Sequence, residues 1–245
     1  MNVRKVRDVT LVDLGQGKTM VIACDSCGGV GMKERDVLKV PPYITAKYTT
    51  RVALLEVLCT GAEVICLTNT ICNEMNPTGQ EIIQGIEAEL RDAGIGKAVL
   101  TGSTEENFPT VATGLGVTAV GIVENENLKV NTIKGDALLL VFGQPKVGQE
   151  VLKSRRDTVD YNLIKQLVKQ AEVYEIIPVG SKGILYEMQE LARNNRLKIS
   201  VNKNIEVDIL KSGGPSTAVI AAVSAAYFSG LDLDCNIELL GKVWL

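Results

Sequence analysis

Two hydrophobic rhythms alternate along the chain. Val9 to Leu14 and Lys18 to Asp25 read as strands joined by a turn at Gly15-Gln16-Gly17. An irregular segment from Gly28 to Pro42 follows, and Thr45 to Thr60 has a helical pattern that Gly61 stops. Glu63 to Asn69 predicts a short strand. Gly79 to Ala93 predicts an amphipathic helix, with Ile82, Ile83, Ile86 and Leu90 on one side and Gly94 at its end. Lys97 to Gly102 and Val117 to Glu124 read as further strands. After a polar stretch from Asn125 to Gly135, the pattern resumes with a strand at Ala137 to Phe142 and a helix at Asp160 to Ala171. A strand at Val173 to Ile177, a helix at Ser181 to Asn195 and a strand at Lys198 to Val201 come next. A helix from Pro215 to Phe228 and a strand from Leu239 to Trp244 complete the reading. Strands and helices at this spacing predict layered α/β architecture. The polar stretch is the best boundary, dividing the chain into domains over 1–128 and 129–245.

Composition narrows the chemistry. The 245 residues carry 26 basic and 29 acidic side chains, which gives no broad positive field for nucleic acid. There is no histidine, so imidazole-based triads, imidazole proton shuttles and His-ligated zinc are excluded. The N-terminal stretch has no apolar h-region, and the longest uncharged run, Ser212 to Leu231, is broken by Gly213-Gly214-Pro215. Neither a leader nor a membrane anchor is expected, and a cytoplasmic setting with reduced thiols follows. Cys24-Asp25-Ser26-Cys27 has redox-pair spacing, but glycines follow it where such a pair needs a helix start.

Three segments hold the candidate chemistry. Gly15-Gln16-Gly17-Lys18-Thr19 is not among them, because a strand follows it where a P-loop requires a helix. In the first segment, Asp25 ends a strand and is followed by Gly28, Gly29 and Gly31, then Lys33. A carboxylate, open backbone amides and an ammonium suit Mg²⁺ and phosphate oxygens; a plain Asp-Ser turn accounts for the same residues. The second is Glu56, a lone charge in the apolar run Val52 to Cys59, which needs a cation, a proton or a cleft. A core salt bridge would serve equally. The third, Gly102-Ser103-Thr104-Glu105-Glu106-Asn107-Phe108-Pro109, follows a strand, where ligands collect in layered domains, although a solvated loop is also consistent.

In this order the segments resemble the aminoimidazole ribonucleotide (AIR) synthetase-like superfamily of ATP-using enzymes. Asp25 with Gly29-Val30-Gly31-Met32-Lys33 is similar to its D-G-V-G-T-K signature. Glu56 to Glu63 is similar to its N-D-L-x-x-x-G-A-x helix end, and Gly102 to Pro109 to its G-G-E-T-A-E-M-P loop. Gly143 to Gly148 and Val179 to Ile184 stand where the family has G-x-P-x-x-G and S-D-G-G-L. Asn69, Thr104 and Lys182 depart from acidic residues of the pattern. The G-S-T-E-E-N-F and G-S-K-G segments look most like the α-ribazole kinase branch, which serves salvage of the lower ligand of cobalamin.

The resemblance implies an N-terminal α/β domain whose strands pair across a homodimer in a β-barrel and a C-terminal α+β domain, with ATP in the cleft between the two domains. It implies Mg²⁺ held by Asp25, Glu56 and Glu105, with Asp25, Lys33 and Glu56 catalytic. Nucleotide contacts would come from Gly28, Gly29, Gly31, Asn69, Gly102, Ser103, Thr104 and Glu105. The expected activity is ATP- and Mg²⁺-dependent phosphoryl transfer to a small molecule, which positioning and charge neutralisation can perform without histidine. Lys211 to Thr217 would open a long helix and hold an anionic or hydroxylated substrate. A non-catalytic relative on the same dimeric scaffold is the alternative, and neither reading expects nucleic-acid or membrane partners.

Overall fold

A computed structural model describes residues 2–153, 156–231 and 237–245, and the chain divides into two compact units. The first comprises Met1–Val57 with Ala62–Glu124, and the second Leu58–Gly61 with Asn125–Leu245.

The first unit is built on a six-stranded sheet. Its strands are β1 (Val3–Val6), β2 (Val9–Gly15), β3 (Lys18–Gly28), β6 (Glu63–Ile71), β7 (Val99–Ser103) and β8 (Gly114–Glu124), ordered β1-β2-β3-β8-β6-β7. All neighbours are antiparallel except β6 and β7, which run parallel. A parallel pair, β4 (Val30–Gly31) and β5 (Leu38–Lys39), lies in the expected irregular segment. This sheet is open; within the described residues of one chain no barrel closes.

Helix α1 (Pro42–Leu58) packs on one face of this sheet, where a Cβ at Gly121 of β8 would lie 2.5 Å from Val57, and α2 (Gln80–Asp92) packs against α1. The alternating inward positions of β8, from Leu115 and Val117 to Ala119 and Val123, are buried, as are Val21 and Ala23 of β3 and Leu67 of β6. Helix α1 is apolar on nearly every side, and Ala53, Leu54, Leu55 and Val57 are fully buried. Its buried Lys47 pairs with Glu89 and Asp92 of α2. Burial works against the Lys47 charge, but the two carboxylates outweigh it and raise the pKa.

The second unit has a five-stranded antiparallel sheet of β9 (Ala137–Phe142), β10 (Val173–Pro178), β11 (Lys198–Val201), β12 (Val219–Val223) and β13 (Ile237–Trp244), ordered β10-β12-β9-β13-β11. Its helices are α3 (Gln149–Lys153), α4 (Tyr161–Lys169), α5 (Gly183–Asn195) and α6 (Ala225–Ser229). The core joins Leu139 and Val141, Ile220 and Ala222, and Ile184, Met188 and Leu191 of α5.

The expected helix over Pro215 to Phe228 is overturned. Val219–Val223 is the fully buried strand β12 between β10 and β9, and only Ala225–Ser229 is helical. A short apolar run buried on both sides has no periodicity to separate strand from helix. The N-terminal site expected at the start of that helix goes with it.

Close approach of α1 and α2 is set at Gly85, where a Cβ would lie 2.3 Å from the Tyr43 carbonyl oxygen and 2.8 Å from the Ala46 Cβ. Alanine would gain about 1 kcal/mol in helix propensity, but overpacking costs about 1–3 kcal/mol. Gly85→Ala is therefore expected to lower the urea midpoint, and a raised midpoint would contradict this packing.

Candidate functional site

Strand register places three of the sequence-selected positions in one line. Asp25 on β3 pairs with Val117, Val117 with Asn69 on β6, and Asn69 with Gly102 on β7. Paired positions share a sheet face, and neighbouring strands lie about 4.8 Å apart, so Asp25 and Asn69 are about 10 Å apart on the helix-covered face. Asn69 is buried and its Nδ2 donates to the Thr101 carbonyl at 3.1 Å. Gly102 is required beside it, because a Cβ there would lie 2.3 Å from Asn69 Oδ1.

Asp25 is half-buried and has no ion-pair partner among the described residues. Burial pushes its pKa up to about 6, opposed by the Ser26 backbone N–H. The neighbouring inward residue, Cys27, is also raised, first by burial and then by the Asp25 charge, against a hydrogen bond with Thr49 of α1. Glu56 lies seven residues beyond Thr49, two helical turns, on the same stripe of α1. Asp25 therefore lies on the face of β3 that meets α1, and Glu56 on the stripe of α1 that carries Thr49.

Beyond β3, the Gly28 to Lys39 loop folds around a residue the sequence reading missed. Asp36 is buried and accepts three hydrogen bonds: from Lys33 N at 2.8 Å, Thr113 N at 2.7 Å and Thr113 Oγ1 at 2.7 Å. Burial alone would raise the Asp36 pKa, but these donors outweigh it and hold it below the usual carboxylate range. Gly31 packs directly on this contact: a Cβ there would lie 2.1 Å from Thr113 Oγ1 and 2.6 Å from Asp36 Oδ2. Thr45 of α1 closes the loop by donating from its hydroxyl to the Val30 carbonyl at 3.0 Å.

Lys33 points to a second missed residue. Its ammonium meets Glu74 Oε2 at 2.5 Å, and Glu74 Oε1 accepts from the Thr78 hydroxyl at 2.5 Å. Burial opposes ionisation of Glu74, but Lys33 and Thr78 outweigh it and lower the pKa to about 2. Adjacent Asn73, fully buried, donates to Thr110 Oγ1 and the Ala112 carbonyl and accepts from Gly114 N. Glu105 N donates to the Asn73 carbonyl, and Glu106 Oε1 accepts from Met75 N at 2.7 Å and from Thr104 Oγ1 at 2.8 Å. The loops that begin at Gly28, Cys72 and Ser103 thus form one connected cluster. No motif spacing links Asp36 or Glu74 to this chemistry; their signal is the three-dimensional hydrogen bonding.

The expected three-carboxylate metal set is not assembled. Among the described residues, no three His, Cys, Asp or Glu side chains are placed to hold a metal ion. Glu105 is turned into its own loop, where it accepts from Asn107 N at 2.7 Å and Phe108 N at 3.3 Å. Asp25, partly desolvated and without an ion-pair partner among the described residues, is the carboxylate whose chemistry suits a divalent ion that completes its shell with phosphate and water. The redox reading of Cys24 and Cys27 is also excluded by geometry. Strand β3 runs through both, and residues three apart on a strand face opposite sides.

In the second unit, the loops singled out in the sequence meet at one end of the sheet. Thr217 Oγ1 donates to the Gln144 carbonyl at 2.8 Å and accepts from Lys146 N at 2.9 Å, while Gly213 N donates to the Gly180 carbonyl at 2.9 Å. Lys211 pairs with Glu150 at 2.9 Å, and the Lys182 ammonium lies 4.1 Å from the centre of the Tyr186 ring.

The fold is a mixed α/β arrangement of the AIR synthase-like kind. Residues 6–123 match the family AIR synthase related protein, N-terminal domain. Thiamine monophosphate kinase from Aquifex aeolicus superposes with a TM-score of 0.67 at 14% identity, over 98% of this chain and 90% of that one. A structure of AaThiL complexed with AMPPCP and TMP gives 0.66 at 13% identity, over 97% and 84%. Phosphoribosylformylglycinamidine synthase II from Thermotoga maritima gives 0.64 at 14% identity over 97% of this chain, which spans 37% of that protein's length. Likeness at such identity is likeness of fold. No curated protein matches the sequence significantly. The family model covers just under half of the chain, within the first unit, and the solved structures share the fold of nearly all of it.

The Lys33–Glu74 pair gives the site an acid limit. The Glu74 pKa is lowered from 4.5 to about 2 in the folded protein. Its contribution is therefore complete above about pH 4.5 and disappears as pH falls toward 2. Solvent reaches the pair, so the contribution is on the order of 1 kcal/mol. Urea midpoints measured against pH are expected to fall less steeply for Glu74→Gln than for the parent over this window. Parallel curves would contradict the pairing.

Proposed function

We propose that this chain is an ATP- and Mg²⁺-dependent enzyme that acts on a small metabolite by phosphoryl transfer. The observation that carries the reading is the alignment of Asp25, Asn69 and Gly102 on one sheet row, on the strand that leads into the Asp36-pinned Gly29–Lys33 loop. The Gly28–Lys33 loop and the Lys33 ammonium would hold phosphate oxygens. Asp25 and Glu56 would hold Mg²⁺, which when bound supplies charge neutralisation on the transferring phosphoryl group. Asp25 is suited to that role because its desolvated carboxylate lacks a cation, and a bound ion would supply one. Support also comes from the kinase structure, which was obtained with the ATP analogue AMPPCP and with TMP.

The finer reading, an α-ribazole kinase type of activity, rests on the G-S-T-E-E-N-F and G-S-K-G segments. A homodimer is part of the same proposal. The sheet face opposite α1 and α2 carries partly exposed Met20, Ile22, Val120 and Ile122, with exposed Val3 and Val99 near its edges, and a second copy would cover it. Among the described residues no helix is long and apolar enough to cross a membrane. The non-catalytic alternative draws on Glu105, whose carboxylate is committed to its own loop.

At a nucleotide concentration one hundred times the Kd, binding should stabilise the fold by about 2.7 kcal/mol. In a chain of this size that is about 5–10 °C in Tm. Mg²⁺-ATP is expected to produce this shift and Glu56→Gln to lose it; no shift at millimolar nucleotide would contradict the reading. ADP formation with candidate nucleosides separates the enzyme from a binding module.

A further inference from the structure

Lys33 has the chemistry to receive phosphate oxygens, yet its ammonium is already engaged. Glu74 Oε2 accepts from it at 2.5 Å, across forty-one residues of sequence. The carboxylate is aimed at this contact from two directions. Its other oxygen is held by the hydroxyl of Thr78, a buried residue, and its backbone carbonyl accepts from Gly79 N at 2.9 Å just before α2. The pair nevertheless stays reachable, with side chains 22% and 31% exposed for Lys33 and Glu74.

We propose that Glu74 is a built-in competitor for Lys33, a carboxylate that occupies the ammonium in the free protein and is displaced when a polyphosphate arrives. The inference rests on the polyphosphate reading of the Gly29–Lys33 loop and adds a control on its affinity. A carboxylate and a phosphate offer the same ammonium equivalent charge-assisted hydrogen bonds. A partly desolvated site strengthens the repulsion between two anions held side by side on one cation. Glu74 therefore releases Lys33 as the phosphate binds, and the lost ion pair is subtracted from the observed affinity. Thr78 adjusts that subtraction by holding Glu74 in place.

The opposite arrangement, in which Glu74 positions Lys33 and stays with it, predicts the opposite sign, so calorimetric titration decides. The probe is Mg²⁺-tripolyphosphate, with Mg²⁺-AMPPCP in parallel, against the full chain and its Glu74→Gln, Thr78→Val and Lys33→Met variants. Glu74→Gln is expected to bind tripolyphosphate about 5- to 30-fold more tightly. Thr78→Val should gain about 2- to 3-fold by loosening Glu74, and it carries the test if Glu74→Gln fails to fold. Lys33→Met should lose binding. Equal or weaker binding by Glu74→Gln overturns the proposal, as does absence of tripolyphosphate binding to every folded variant. A gain for tripolyphosphate without any preference for AMPPCP leaves the competitor role standing and removes the nucleotide reading.

Discussion

The buried carboxylate of Asp36 is the constraint on which the first unit's loop geometry depends. Three donors converge on it, two from Thr113 and one from the backbone of Lys33, and each is a hydrogen bond to a charged group. Such bonds are worth about 1.5–3 kcal/mol each, enough to fix a glycine-rich loop that has no regular ladder of its own beyond two-residue strands. The loop can lie this close only because Gly31 has no side chain. With the loop fixed, Lys33 projects toward Glu74, and Glu74 in turn ties the segment before α2 to the rest. The loop that ends β7 joins through Asn73 and Glu106. Three segments distant in sequence thereby become one surface with a defined charge.

The sheet beneath supplies the second element of order. Register carries Asp25, Val117, Asn69 and Gly102 across four strands, so positions that sequence motifs select one at a time become neighbours on one face. Asp25 sits where helix-side burial meets the open strand end, which explains both its partial exposure and its raised pKa. A carboxylate there without a cation is costly, and a polyphosphate-bound ion is a natural complement.

Most of the architecture was legible because the first unit obeys simple rules. Short apolar runs between turn residues marked β3 and β8, and the apolar face of α2 marked its packing side. Legibility failed where burial is complete. Val219 to Val223 is apolar at every position because both sheet faces are covered, and an alanine-rich apolar run then imitates a helix. Strand β1, with three exposed residues, carries no burial pattern to find. In the site, residues inside local motifs (Asp25, Gly31, Lys33, Asn69, Gly102) could be selected from sequence. Asp36 and Glu74 could not, since their roles arise from partners 77 and 41 residues away. Glu105 misled in the other direction: an acidic residue in a loop can satisfy its own backbone rather than a metal.

The central claim is that a phosphate-bearing ligand is received by the Gly29–Lys33 loop at the end of β3. Amide chemical-shift mapping with Mg²⁺-AMPPCP tests it most directly. The account predicts that the largest perturbations fall on Gly28, Gly29, Gly31 and Lys33, with Gly102 and Ser103 following. Perturbations confined to residues of the second unit, or none at saturating analogue, would contradict it.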